Sequence, residues 1–155
     1  MKGYLFILVI LVAACNSKIT VTEEEIGSDI FYVEGSYKPF SGKCIVLYHA
    51  DDQVKEQFTF KKGRLHGETL AWHRNGQPRW KGSYSKGQIS GKWEFYDEKG
   101  KKNIEAHYKH DNLHGSYTAL YHNGMIKEKG DYVRNKRTGR WEYFNEKGQL
   151  ISRDK

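Results

Sequence analysis

Cysteine is scarce in this chain, with two residues, Cys15 and Cys44, among 155. So few cysteines exclude a disulfide framework, because small disulfide-stapled domains need several pairs. If Cys15 is used in another way, Cys44 has no partner in the chain. Cys44 is then a buried small apolar residue, which we favour, or the site of an intermolecular disulfide.

Long apolar runs are also scarce, and the clearest one lies near the N-terminus. It spans residues 4–12 (YLFILVILV) and follows the positive Lys2. This run is shorter than the roughly 20 residues that a membrane-spanning helix needs, so the pattern is typical of a secretory signal peptide. The segment Val12-Ala13-Ala14-Cys15 that follows resembles the cleavage site of bacterial lipoproteins, with Val12 at a position where leucine is usual.

The lipoprotein resemblance implies cleavage before Cys15 and attachment of a lipid to this cysteine. Residues 1–14 are then the signal peptide, residues 15–34 an acidic linker and residues 35–155 the repeat domain. The protein is expected to be exported and anchored to the bacterial cell envelope, at the outer membrane. Two alternatives stay open, an ordinary cleaved signal peptide that happens to contain Cys15 and an uncleaved anchor.

Negative charge is scarce in the C-terminal part of the chain. Residues 16–41 hold five acidic and two basic residues, for a net charge of −3, whereas residues 42–155 hold 23 Lys and Arg against 14 Asp and Glu, for a net charge of +9. This basic surface either keeps a thin protein well solvated or attracts anionic headgroups, glycans or an acidic partner. Export argues against nucleic acid as that partner.

Glycine, by contrast, is abundant and regularly spaced. Glycines that follow a pair such as Leu-His recur at intervals of 25, 24, 24 and 24 residues, and further landmarks follow nine and seventeen positions later. The first series is Gly42, Gly67, Gly91, Gly115 and Gly139, and the second is Gly76, Gly100, Gly124 and Gly148. The aromatic series is Tyr84, Tyr108 and Tyr132, with Phe60 in the equivalent place of the first repeat, which carries one extra residue. Landmarks in phase indicate an internal repeat that starts near each glycine of the first series.

Each repeat predicts two antiparallel strands and two turns. Residues 91–96 (GKWEFY) alternate in polarity, with Trp93 and Phe95 on one side of the strand. We expect type I′ hairpin turns at the second glycine series, because both central residues of that turn need positive φ and Asn-Gly satisfies this. A further turn is expected near Gly63, Gly87, residues 111–112 and Asn135. The fold class is therefore all-β, an elongated, curved antiparallel meander of about ten strands.

Alternate repeats resemble each other more closely than neighbours do. Residues 91–100 match residues 139–148 at six of ten positions, and residues 65–76 match residues 113–124 at six of twelve. The inward pairs alternate accordingly between the large Trp93/Phe95 and Trp141/Tyr143 and the smaller Thr69/Ala71 and Tyr117/Ala119. We expect this alternation to set the curvature of the sheet, which requires all four pairs to lie on one face.

Aromatic residues make up 14% of the chain. A meander without helices buries only one face, so the aromatic rings are expected to supply most of its core. The alternative is that some of the rings line an exposed strip for a partner, since repeat proteins build extended binding surfaces.

The recurring pattern resembles the MORN repeat variant of bacterial YwqK-like proteins. It is carried by Leu65-His66-Gly67, Ile89-Ser90-Gly91-Lys92-Trp93, Leu113-His114-Gly115 and Thr138-Gly139-Arg140-Trp141, and by the opening Lys38-Pro39-Phe40-Ser41-Gly42-Lys43. The resemblance covers residues 35–150 and implies a fold of β-hairpin repeats, a lipoprotein signal and an antitoxin-like role. Asp51-Asp52 and Arg137-Thr138 depart from the pattern, which is typical of capping repeats.

Motifs for catalysis, cofactors or metals are lacking. His66 and His114 share one repeat position, and the cluster of His107, His110 and His114 has neither accompanying cysteines nor HExxH spacing. The serines lack a GxSxG elbow, Cys44 lacks a placed base, and no phosphate-binding glycine loop is present. We therefore expect no catalytic, cofactor-binding or metal-binding residue.

The leading interpretation is a non-enzymatic repeat lipoprotein that acts as a binding or scaffold module at the cell envelope. Its expected contacts are the membrane, through the lipid on Cys15, and an unknown protein or other envelope partner, with self-association through sheet edges as a further option. One alternative is an antitoxin or immunity-type inhibitor of a cognate toxin. A less favoured one is a hydrolase acting on envelope material, which needs a pocket with a perturbed carboxylate or histidine.

Overall fold

The computed structural model describes residues 6–11, 18–22, 30–32, 36–48 and 53–154, and these form an all-β fold. One antiparallel sheet contains 13 strands, and no helix occurs in the described residues. The strands are β1 Phe6–Leu11, β2 Lys18–Thr22, β3 Gly42–Leu47, β4 Val54–Lys61, β5 Arg64–Leu65, β6 Gly67–Trp72, β7 Pro78–Ser85, β8 Gln88–Tyr96, β9 Lys102–Lys109, β10 Asn112–Leu120, β11 Ile126–Val133, β12 Lys136–Phe144 and β13 Leu150–Arg153. The predicted fold class is confirmed.

The strands from β3 onward follow each other through the sheet in chain order. The short β5 pairs with β4 beside β6, and β1 lies against β3 with β2 outside it. Extensive contacts join only strands that are neighbours in this order. Each repeat therefore depends on its two neighbours, which is the energetic pattern of a repeat protein.

Part of the predicted signal peptide is a strand in this structure. In β1, Val9 lies opposite Val46 of β3 and Ile19 of β2, and β2 itself falls in the segment predicted as a linker. Cys15 lies outside the described residues, so its lipidation stays a prediction. The part of the chain that the structure describes has no helix with the length and apolarity needed to cross a membrane.

The turns at the second glycine series are not of type I′. At Gly76, φ is +81° but Asn75 keeps a negative φ, and Gly76 N–H donates to the His73 carbonyl at 2.9 Å. His73 N–H donates to the Gln77 carbonyl at 2.8 Å. This pattern is a type I turn followed by a glycine bulge, and it recurs at Gly100, Gly124 and Gly148. The expectation of type I′ geometry there is wrong, because the Asn75 side chain accepts the Gln77 N–H at 3.0 Å and stabilises the wider turn.

Type I′ geometry occurs instead at the opposite ends of the strands. There the hairpins close with two residues, and both have positive φ. These turns are Lys62–Gly63 (φ 51° and 75°), Lys86–Gly87 (53° and 88°), His110–Asp111 (49° and 65°) and Arg134–Asn135 (49° and 63°). The third turn thus lies one residue earlier than predicted. We call these four turns the two-residue turn row.

The first glycine series marks bulges inside the strands. Lys81 pairs with Glu94 and Ser83 pairs with Ser90, so two more residues of β8 than of β7 lie between these pairs, and Gly91 has a φ of 75° there. Equivalent register shifts occur near Gly115 and Gly139, and the break between β5 and β6 falls just before Gly67. Glycine tolerates the positive φ that such an irregularity needs.

Alternate repeats, which are more similar in sequence, also share hydrogen bonds between their turns. Asn75 Nδ2 donates to the Glu98 carbonyl at 2.6 Å, and 48 residues later Asn123 Nδ2 donates to the Glu146 carbonyl at 2.7 Å. Each bond ties one turn to the turn of the next repeat. Pairs of repeats are therefore linked in the same way along the sheet.

A cluster of buried apolar residues closes the N-terminal end of the repeats. Phe31 N–H donates to the Gly63 carbonyl at 2.7 Å, and Gly63 N–H donates to the Phe40 carbonyl at 2.6 Å, so Phe31 and Phe40 are held against the first turn of the row. The cluster contains Phe31, Phe40, Cys44, Val46, Phe58 and Phe60. Cys44 is fully buried, as favoured from the sequence, and burial raises the pKa of its thiol to about 12.

Candidate functional site

One face of the sheet carries most of the aromatic rings of strands β4 to β12. Phe95 lies directly opposite Trp80 on one side and Ile104 on the other, and Trp93 lies opposite Ala106, so these residues share a face. The four inward pairs predicted from the sequence all lie on it. We call this the aromatic face, and its rings are Phe58, Trp80, Tyr84, Trp93, Phe95, Tyr108, Tyr117, Tyr132, Trp141 and Tyr143.

Each of the two most buried indoles packs against a glycine. A Cβ atom added at Gly82 would lie 2.2 Å from Cδ2 and Cε2 of Trp93, and one added at Gly130 would lie 2.5 Å from the same two atoms of Trp141. Trp93 is 5% exposed and Trp141 is 2% exposed. The indoles thus lie flat on bare backbone, and the arrangement repeats after 48 residues.

Ring contacts extend outward from each of these indoles. Trp80 lies 5.3 Å from Trp93 between ring centroids, and Tyr84 meets Trp93 edge-on at 5.7 Å. Around Trp141, Tyr132 packs edge-on at 5.2 Å and Tyr117 lies tilted at 5.7 Å. Edge-to-face and offset packing of this kind adds to the free energy of area burial.

The aromatic face ends in a charged group near the C-terminus. The Arg137 guanidinium lies over the Trp141 indole, 3.9 Å from its centroid, and donates to the Tyr143 hydroxyl at 2.8 Å and to Glu128 Oε2 at 3.2 Å. The Tyr143 hydroxyl donates to Asp154 Oδ2 at 2.6 Å. Arg137 is one of the residues that departs from the repeat pattern, and its position covers the last indole of the face.

Apart from the buried Phe58, the remaining rings of the aromatic face are half-buried. Burial raises the pKa of the Tyr84, Tyr108 and Tyr117 hydroxyls, yet each ring keeps part of its surface in solvent. Beyond the N-terminal cluster, no strand of the described residues makes extensive contact across this face. The aromatic rings therefore supply much of the core, and an exposed strip for a partner stays a prediction.

The opposite face carries charged pairs. Glu94 and Glu105 lie directly opposite each other, an arrangement that repels unless cations intervene. Lys102 lies 3.1 Å from Glu94 and 2.6 Å from Glu105, and Lys92 lies 3.2 Å and 3.0 Å from the same carboxylates. The hydrogen bond from Lys102 lowers the pKa of Glu105. This face is thus a solvated network of alternating charge.

The histidines are distributed along the sheet. His107 Nδ1 lies 2.9 Å from Ser116 Oγ, and His122 Nδ1, in the turn at Gly124, lies 2.9 Å from Asp97 Oδ2 in the turn at Gly100. His110 and His114 line one cavity with basic neighbours. In the part of the chain that the structure describes, no three His, Cys, Asp or Glu side chains are placed to hold a metal ion. His49 lies outside the described residues.

Two of the repeats are similar to a known repeat family. A family model described as the MORN repeat variant matches residues 89–110 and 113–134, which are two adjacent repeats. No curated protein sequence matches the chain. A crystal structure of the GtfA/B complex bound to UDP and GlcNAc aligns at 13% identity with a TM-score of 0.31, over 77% of this chain and 24% of that chain.

The alignment to the GtfA/B complex is too weak to bear on fold or function, and this chain spans about a quarter of that one. The family match has more weight, because its boundaries coincide with the structure. Residues 89–110 run from β8 to the first residue of the turn after β9, and residues 113–134 run from β10 to the first residue of the next turn of the row. Two adjacent repeats of this sheet are thus similar to the MORN repeat variant, and MORN repeats generally act as binding or scaffold modules.

Proposed function

We propose that the protein is a non-enzymatic repeat lipoprotein that holds a partner at the bacterial cell envelope. The observation that carries the proposal is the aromatic face, on which half-buried rings surround the buried Trp93 and Trp141 over several repeats. Half-buried Tyr and Trp rings offer large, rigid contact area at a low cost in conformational entropy. A partner with apolar or aromatic groups would bury the ring surface that the sheet leaves in solvent.

The proposed anchor is the lipid on Cys15. Processing before this residue removes β1, whose partners are β2 and β3, while β3 keeps its pairing with β4 over residues 42–47. The repeats therefore do not depend on β1 for their own ladder. Expression of the Cys15→Ala variant tests the anchor, because it should move the protein from the membrane fraction to the soluble fraction. Unchanged membrane association would contradict lipid attachment.

Site-specific photo-cross-linking tests the binding face. A photoreactive phenylalanine analogue at Tyr108 places the label on the aromatic face and preserves a ring, while the same analogue at Thr118 places it on the opposite face. In native envelopes, the label at Tyr108 should give a discrete adduct that the label at Thr118 does not give. Equal adducts from both positions, or none from either, would refute the aromatic face as the binding surface.

A further inference from the structure

The two-residue turn row carries a charge pattern that the proposed binding face does not use. The first residue of each turn is basic, and all four side chains are exposed: Lys62, Lys86, His110 and Arg134. Among the described residues, none of these side chains forms a salt bridge. They lie one repeat apart along the same end of the sheet.

The backbone at these positions favours other residues. Each of the four has a φ between 49° and 53°, in the left-handed region where Gly, Asn and Asp are preferred. The second position of the turns follows that preference, with Gly63, Gly87, Asp111 and Asn135. Long basic side chains at the first position are therefore placed at an energetic cost, and conformational strain of this kind is often associated with function.

The two ends of the strands differ in charge. Residues 61–64, 85–88, 109–112 and 133–136 hold seven Lys and Arg and one acid, Asp111. The turns described at the other end have three residues between the paired strand ends, and we call them the three-residue turns. With those ends they span residues 73–77, 97–101, 121–125 and 145–149, which hold four Lys and Arg and three acids. The one acid of the row is engaged, because Asp111 Oδ1 accepts the Ile89 N–H at 2.7 Å. Positive charge is thus concentrated at one end of the sheet.

A cavity lies within this basic end. It has a volume of about 390 Å³ and is lined by Lys109, His110, Asn112, His114 and Arg134, with no carboxylate among them. Hydrogen bonds fix its walls, because Asn135 Nδ2 donates to Asn112 Oδ1 at 2.6 Å and Asn135 Oδ1 accepts the Leu113 N–H at 2.7 Å. Two adjacent turns of the row are thereby locked together at the cavity.

We propose that the two-residue turn row is an anion-binding site, in which the cavity holds a phosphate group between His110, His114 and Arg134. Arginine donates two parallel hydrogen bonds to phosphate oxygens, and lysine and histidine add further donors. Because neighbouring strands are about 4.8 Å apart, successive turns lie about 10 Å apart. Lys86 and Lys62 therefore extend the site toward further anionic groups of the same ligand or surface.

The test compares two variants with equal loss of charge. The chain carries Cys15→Ala throughout, so that no attached lipid contributes to binding. Lys109→Gln with Arg134→Gln removes two charges from the cavity, and Lys99→Gln with Lys147→Gln removes two from the three-residue turns. Inorganic phosphate is titrated while the imidazole NMR signals are followed. Co-sedimentation then uses phosphatidylcholine vesicles with and without phosphatidylglycerol.

Binding to either probe should weaken about thirtyfold in the variant with Lys109→Gln and Arg134→Gln. It should stay nearly unchanged in the variant with Lys99→Gln and Lys147→Gln. Arg134→Lys alone should give an intermediate loss, because it keeps the charge but not the paired donors. Phosphate binding without vesicle binding supports a soluble phosphate compound, and retention on the anionic vesicles supports a lipid headgroup. Equal loss in the two double variants, or no binding of either probe, would overturn the site.

Discussion

The contact between Gly82 and Trp93 predicts that Gly82→Ala destabilises the fold when Trp93 is present and does not when Trp93 is replaced. The Gly82 φ lies outside the left-handed region, so alanine is sterically excluded by the indole and not by the backbone conformation. A Cβ at this position would lie 2.2 Å from the ring, whereas ordinary contact begins at 3.4 Å, so the ring must retreat by about 1.2 Å. Overpacking of this kind costs about 1–3 kcal/mol.

The assay is urea unfolding of the full chain, followed by tryptophan fluorescence and circular dichroism. Gly82→Ala should lower the free energy of unfolding by about 1–3 kcal/mol, and for a chain of this size the melting temperature should fall by about 2–4 °C per kcal/mol. In a Trp93→Leu background the clash is gone. There, Gly82→Ala should be neutral or stabilising by about 0.5–1 kcal/mol, since alanine loses less entropy than glycine within a strand.

Gly124→Ala provides the matched control. Nothing lies within 4 Å of a Cβ at that position, but its φ is 85°, so the substitution costs backbone strain alone. Its effect should therefore be the same with Trp93 or with leucine at position 93. If Gly82→Ala destabilises both backgrounds equally, the indole is not the cause and the argument from close packing is refuted.

Further predictions concern single side chains. Arg137→Gln should lower the free energy of unfolding by about 1 kcal/mol in urea titrations, since the indole beneath it loses its cation; an unchanged midpoint would contradict this. Glu105 has its pKa below 4.5, so its hydrogen bond with Lys102 stabilises the fold above that pH and ceases to do so as pH falls through the lowered pKa. Lys102→Gln should thus be destabilising in urea at neutral pH, with a difference that shrinks as the pH is lowered through the Glu105 pKa, and a constant difference would exclude this linkage. Lys86→Asn should raise the free energy of unfolding by about 0.5–1 kcal/mol, seen as a higher melting temperature, because asparagine suits the left-handed turn position. A lower melting temperature would argue against strain at Lys86. Native Cys44 should resist alkylation at about pH 8 and react once urea is added, which thiol labelling with mass spectrometry would show.

The repeat, the strands and the shared face followed from the sequence because they depend on local periodicity. Alternation over residues 91–96 predicts which side chains point the same way, and pairing of neighbouring strands then aligns Trp93 and Phe95 with Trp80. The same logic placed Thr69 and Tyr117 correctly. Burial of Cys44 was also favoured from the sequence, since an unpaired cysteine in a strand behaves as a small apolar residue.

The turn geometries show where sequence patterns are insufficient. Asn-Gly is the usual signal for a type I′ turn, yet Asn75-Gly76 adopts a wider turn with a glycine bulge. Type I′ geometry occurs where the sequence reads Lys-Gly, His-Asp or Arg-Asn, as at His110–Asp111. Propensity for positive φ was the signal used, but strand register decides how many residues each loop contains.

The binding features were only partly visible in the chain. Aromatic abundance indicated a core or an exposed strip; the rings supply much of the core, and the strip stays a prediction. The cavity between His110, His114 and Arg134 was missed, because Arg134 belongs to the next repeat. Basic residues recurring at the first position of successive turns were the signal that could have indicated it.

The sequence by itself determined the period of the repeat, the all-β class and the face to which each strand residue belongs. These features follow from alternation and from glycine spacing, which are properties of neighbouring residues. Only the tertiary structure decided that Gly82 and Gly130 support indoles, that Arg137 covers the last one, and that basic turns form one row. Such contacts join separate strands, and their partners are fixed by the register between strands, which local residue order does not specify.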